Sequence, residues 1–223
     1  MQALVDRVAS GNHALILDEP AAPESAIAPV VVVDDDATLV GALRTGRDER
    51  AAQALFDRHA SLVRRILART LGPFHDVEDH VQETFAAFFR QLRELRDPAA
   101  TRAFLVSVAV RVARKELRVR RVRRILRLAP NEELPETAVG GEDELEARIA
   151  IRRLFAVLDE LDPASRLAFT LRHVEEMELM EVAVATGESL ASVKRRLARV
   201  VPIVNARLAR DPAVAPYLGG AVS

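Results

Sequence analysis

From Ala37 onward, apolar residues return every three or four positions over most of the chain, the spacing of helices that bury one face. The spacing predicts helices at about residues 37–45, 48–71, 76–95 and 99–126, and a second helical block at about 143–210. Breakers set these limits. Gly46, Gly72-Pro73 and Asp97-Pro98 divide the first block, and Asp162-Pro163 and Gly187 interrupt the second. Between the blocks, residues 129–142 hold Pro130, Pro135 and Gly140-Gly141 among acids and read as a flexible linker. Residues 1–36 have no sustained period and read as a mobile acidic arm; residues 211–223 read as a tail of small residues. Val30 to Val33 are a stray strand or sticky patch, because nothing after them alternates strands with helices. The expected fold class is therefore all-α: two small helical domains, 37–128 and 143–210, joined by a flexible acidic linker.

Composition agrees with a globular protein, with 49% apolar and 29% charged residues in 223. The absence of cysteine excludes a disulfide framework, a Cys-ligated metal site and a thiol nucleophile, and makes the cytoplasm the expected compartment. No apolar run approaches the roughly 20 residues of a membrane span, and no basic start with a continuous apolar stretch marks a secretory signal.

Charge changes the picture more than composition does. The formal net charge of -1 hides strong segregation. Residues 1–36 carry seven acids and one base; residues 101–127 carry ten bases and the single acid Glu116; residues 128–146 carry seven acids again. A polyanion-binding stretch is flanked by two acidic ones.

Three stretches carry candidate chemistry. In the last block, Leu179, Val182 and Ala183 recur at helical spacing, Gly187 stands where a left-handed turn needs it, and Ser189 can cap the next helix. This is helix-turn-helix spacing. In the helix after Ser189, Leu190, Val193, Leu197 and Val200 share one face, while Ser192, Arg195, Arg196 and Arg199 project from the other. Such a helix can enter a major groove, with Lys194 adding a phosphate contact. The second stretch is the helix at about 99–126. There Phe104, Val108, Val112, Val119, Val122 and Leu126 form a stripe interrupted by Lys115, and Arg111, Arg114, Arg118 and Arg121 run along its flank. Spaced by three and four, those arginines can track a nucleic-acid backbone; without an anion, like charges this dense should fray the helix end. Phe104, the only ring there, is placed for core packing as readily as for base stacking. Third, Val77, Val81, Phe85, Phe88 and Leu92 make a core stripe, opposite which Asp79, Gln82 and Glu83 are exposed together, as acids suited to a helix's first turn or as a docking surface for another protein. No catalytic set emerges, no cofactor is implied, and His75 and His80 have poor spacing for a metal. An enzyme is not expected.

Taken in order, Phe56-Asp57-Arg58-His59, Asp79 to Phe85, Phe104 to Ala109 and Ser189 to Leu197 resemble bacterial RNA polymerase sigma factors of the extracytoplasmic-function class, over about residues 37–210. The resemblance implies a sigma region 2-like first domain and a region 4-like second domain. Asp79, Gln82 and Glu83 would then dock on core RNA polymerase, at the clamp helices of its largest subunit. The helix from Phe104 to Arg121, including Arg111, Arg114, Lys115 and Arg118, would bind and help open the minus-ten element of promoter DNA. Ser192, Lys194, Arg195, Arg196 and Arg199 would enter the major groove of the minus-thirty-five element. The acidic linker would thread toward the polymerase interior. Control by an anti-sigma factor is usual in the class, although no residue here reports it. The chain departs from the family's usual residues at His80, Phe104, Arg111, Lys115-Glu116 and Glu188, and the added cations of the basic helix favour backbone contact over base readout. The alternatives are a stand-alone helix-turn-helix regulator with a dimerising or sensing N-terminal block, and an RNA-binding or scaffolding helical protein.

Overall fold

In the computed structural model, the described residues are 35–46, 48–72, 77–126 and 142–214. Most of the arm, the linker and the tail, together with Val30 to Val33 and His75, lie outside them. The described residues form eight α-helices: α1 Asp36–Thr45, α2 Glu49–Leu71, α3 Glu78–Gln91, α4 Thr101–Ile125, α5 Glu142–Asp159, α6 Pro163–His173, α7 Leu179–Thr186 and α8 Leu190–Leu208. Short 3₁₀ turns at Leu92–Glu94 and Pro98–Ala100 bridge α3 to α4, so the predicted helix at 76–95 ends four residues early, at Gln91. The other limits fall within about two residues of the predicted ones, and side-chain caps set several of them. Asp35, Asp48, Asp162 and Ser189 each accept a backbone N–H from the first turn of the helix that follows. The backbone N–H of Glu178 donates to Glu181 across the first turn of α7 at 2.8 Å. Gly72 (φ 110°) and Gly187 (φ 68°) close α2 and α7 in left-handed conformations.

Helix α4 passes between the two blocks. It packs on α2 and α3 on one side and on α6 and α7 on the other. Being covered from both sides, Leu105, Val106, Val108, Ala109, Val110, Val112 and Ala113 are all buried. The predicted stripe is corrected here: Val108 and Val112 belong to the core, whereas Val122 and Leu126 are 54% and 58% exposed because the helix has by then outrun its neighbours. The predicted stripe of α3 is buried along its whole length, and so are Val193, Leu197 and Val200 of α8. A single apolar cluster joins α1–α4 to Leu167, Leu171, Val182, Ala183, Val193 and Leu197 of the second block. A second cluster, around Leu154, Leu158, Phe169 and Val204, holds α5, α6 and α8 together.

The seam between the blocks is built from helix C-termini capped by arginines. The last carbonyls of a helix lack partners within it and carry its partial negative charge. At the end of α2, Arg166 Nε donates to the Thr70 carbonyl at 2.7 Å and Arg120 Nη1 to that of Leu71 at 2.9 Å. Past α6, Arg69 donates to the Val174 carbonyl at 3.0 Å. At the end of α7, Arg114 donates to the Thr186 carbonyl at 3.0 Å. Carboxylates complete the set. Glu175, with its side chain only 2% exposed, pairs with Arg65 and Arg69 at 3.0 Å each. Arg166, itself 2% exposed, pairs with Asp159 and lies 5.5 Å from the centroid of the Phe155 ring. Arg124 reaches the Asp159 carbonyl at 2.5 Å. Helix α4 runs to Ile125, and Arg114, Arg120 and Arg124 along its last turns have partners within the protein.

Candidate nucleic-acid interface

The helix-turn-helix consists of α7, Gly187 and α8. Ser189 Oγ accepts from the Ser192 N–H at 3.2 Å and caps α8. With Val193, Leu197 and Val200 in the core, Lys194, Arg195 and Arg199 are left exposed, as the helical spacing predicts. Arg196 differs. It leans back toward the turn, donating from Nη2 to Glu188 Oε2 at 2.9 Å, with Nη1 3.6 Å from Asp162. Asp162 is also 3.8 Å from Arg199. Burial opposes ionisation of Asp162, but hydrogen bonds from Ser165 and the charge of Arg196 hold its carboxyl below the ordinary range.

The basic flank of α4 is only partly open. Arg118 and Arg121 are exposed. Arg111 donates to Gln91 Oε1 at 2.9 Å, and Arg114 is turned onto α7, where it also lies 3.8 Å from Glu188. Lys115 pairs with Glu83 at 2.8 Å, and that bond raises its pKa. Thus a residue expected to meet DNA is joined to one expected to meet polymerase. Asp79 and Gln82 remain exposed one turn away, and Glu78 is engaged by Arg64 at 2.5 and 2.9 Å. Phe104 is half-buried, its ring centroid 5.9 Å from that of Phe88 at the edge of a group that continues through Phe85, Phe89 and Phe56. Among the described residues, no group of three or more His, Asp or Glu side chains could hold a metal ion.

Sequence reasoning missed Arg166, Arg69 and Glu175, which tie the blocks together, and Arg120, which fastens α4 to the end of α2 within the first block. Their signal is weak: Arg166 stands just before Leu167-Ala168-Phe169, as any surface cation could. Two of the three aspartates ending the arm also turn out to be structural. Asp35 caps α1, and Asp36 pairs with Arg58 at 2.7 Å and His59 at 2.8 Å.

Comparison with known proteins places this geometry. Residues 55–123 match the family described as Sigma-70 region 2, and residues 151–201 match Sigma-70, region 4. The chain is 33% identical over 156 residues to RNA polymerase sigma factor NccH of Alcaligenes xylosoxydans xylosoxydans, covering 68% of this chain and 83% of that one. It is 30% identical over 186 residues to RNA polymerase sigma factor CnrH of Cupriavidus metallidurans, covering 80% and 97%. It is also 30% identical over 155 residues to the ferric citrate uptake sigma factor FecI of Escherichia coli, covering 67% and 86%. Among solved structures, CnrH in complex with the cytosolic domain of CnrY is similar, with a TM-score of 0.56 at 26% identity, over 80% of this chain and 99% of that one.

Proposed function

The chain belongs to the sigma-70 family of RNA polymerase sigma factors, in the extracytoplasmic-function class, and from that membership we propose how its residues divide the work of directing polymerase to a promoter. Residues 37–128 act as the region 2 domain and residues 143–210 as the region 4 domain, with 129–142 as the strap between them. Asp79, Gln82 and Glu83 dock on core RNA polymerase. On α4, Phe104, Arg111, Arg114, Lys115, Arg118 and Arg121 meet the minus-ten element. On α8, Ser192, Lys194, Arg195, Arg196 and Arg199 meet the minus-thirty-five element. The protein has no chemistry of its own in this reading; it works by placing cations against phosphates and base edges, in the cytoplasm, where polymerase and promoter are. CnrH is bound by the cytosolic domain of CnrY, and an anti-sigma factor is the regulator we propose for this chain.

The observation that carries the proposal is the pairing of two matched sigma regions with two separate basic helical faces, α4 and α8. Reconstituted transcription tests it. Core polymerase plus this protein should start at discrete sites on promoter DNA, and neither component alone should do so. Equal binding of promoter fragments with and without core enzyme, and no transcription start, would instead establish a stand-alone helix-turn-helix regulator.

A further inference from the structure

Glu188 stands in the turn between α7 and α8, and its two carboxylate oxygens face in two directions. Oε2 accepts from Arg196 Nη2 at 2.9 Å, while Oε1 lies 3.8 Å from Arg114 Nη2. Arg196 belongs to the helix assigned to the minus-thirty-five element and Arg114 to the one assigned to the minus-ten element. One carboxylate therefore bridges both DNA-binding faces. The same Arg114 Nη2 caps α7 at the Thr186 carbonyl, so the bridge falls on the seam between the blocks.

We infer that Glu188 is a latch added to that seam: in the free protein its carboxylate occupies the place of DNA phosphate on Arg114 and Arg196, strengthening the closure that the shared apolar cluster and the other arginine caps also hold and keeping both guanidiniums away from DNA. This rests on the roles proposed above for those two arginines. A carboxylate and a phosphate present the same charge and the same paired acceptors to a guanidinium fork, so one can stand in for the other. Glu188, Arg114 and Arg196 have side chains only 19%, 22% and 23% exposed, which protects the bridge from salt screening. The closed pairing is nonetheless incomplete. Arg114 Nε and Arg196 Nε are both buried without a hydrogen-bond partner, an unfavourable arrangement that opening onto a phosphate-lined groove relieves. The latch is thus strong enough to bias the free chain and weak enough for a duplex held by polymerase to displace.

Because the chain has no cysteine, a reporter pair can be introduced without background. Ser61→Cys on α2 and Ala206→Cys on α8, both exposed, carry spin labels in the full-length protein. Without a further change, the labels should give one narrow distance distribution. Adding Glu188→Gln should broaden it toward longer distances, and should tighten binding of the free protein to duplex DNA by about threefold, through a larger population of the open form. Arg114→Gln, which breaks the same bridge from the other side, should open the labels equally. Unchanged distances in both variants overturn the latch, even if affinity rises, since removing a negative charge near phosphate can do that without opening. The sigma assignment fails on a different result: wild-type protein that supports no promoter-dependent start with core polymerase.

Discussion

At the residue scale, exposure separates cations open to solvent from those spent on the protein. Arg195 and Arg199 project from α8, and Arg199 keeps 66% of its side chain exposed despite Asp162 nearby. Arg199→Ala or Arg195→Ala should weaken promoter binding by the holoenzyme. A salt titration separates the two kinds of contact: loss of a phosphate contact lowers the log–log slope by about 1, whereas loss of a base-edge contact costs about 1–3 kcal/mol at the cognate site and leaves other sequences alike. His173 governs a different measurement. Burial, aided by the neighbouring Arg172, lowers its pKa, and its Nε2 is buried without a partner beside the Phe169 ring, at a centroid distance of 5.0 Å. The unfolded chain therefore takes up this proton more readily than the folded one, so the stability tied to neutral His173 is present above about pH 6.5 and is lost as pH falls toward the lowered folded value. Urea midpoints should drop between pH 7.5 and pH 5.5, and His173→Phe should flatten that slope. Exposed cations such as these were legible from helical spacing alone. The inward turn of Arg114 and Arg196 was not, because a long side chain reaches either way from the same Cα.

At the scale of elements, the helix-turn-helix depends on two local features that the sequence displays openly. Gly187 sits at φ 68°, and a Cβ built there meets nothing within 4 Å. Gly187→Ala therefore adds backbone strain without a clash and should destabilise the protein by about 1 kcal/mol in chemical denaturation. Ser189→Ala removes the cap of α8 and should cost about 1 kcal/mol as well. The two sites are close and share one turn, so the double variant should depart from simple addition. Helix limits were read well wherever Asp, Ser, Pro or Gly punctuates the chain. They were read less well between α3 and α4, where the chain stays apolar through Leu92 and Leu95 while the backbone tightens into 3₁₀ turns. The face of α4 was misread beyond Val112 because periodicity marks an apolar stripe but not where the neighbours that cover it end, and Val119, Val122 and Leu126 lie past them.

At the scale of the whole molecule, the two sequence blocks share one apolar cluster and a seam of arginine-capped helix ends. They should accordingly unfold together. Calorimetry on the full chain should give one transition whose calorimetric and van't Hoff enthalpies agree; two resolved transitions would show the blocks to be independent in solution. Arg166 tests the seam directly. Its burial lowers its pKa while Asp159 opposes the change, and Arg166→Ala would strip the Thr70 carbonyl of its donor. The expected cost is about 1–3 kcal/mol, with the transition splitting or broadening as the blocks uncouple.

From sequence alone came the helical class, the breaker-set limits, the helix-turn-helix, the alternation of acidic and basic stretches and the resemblance to sigma factors, since each is written in local spacing and composition. Tertiary structure decided the rest: that the blocks close on one another, that α4 is buried on two sides, and that Glu188 gathers an arginine from each of the two basic helices. Such pairings join residues dozens of positions apart, as Arg114 and Glu188 are, and depend on how helix ends meet in space. Linear periodicity records which face of a helix is apolar, but holds no information about which charged neighbour will stand against it.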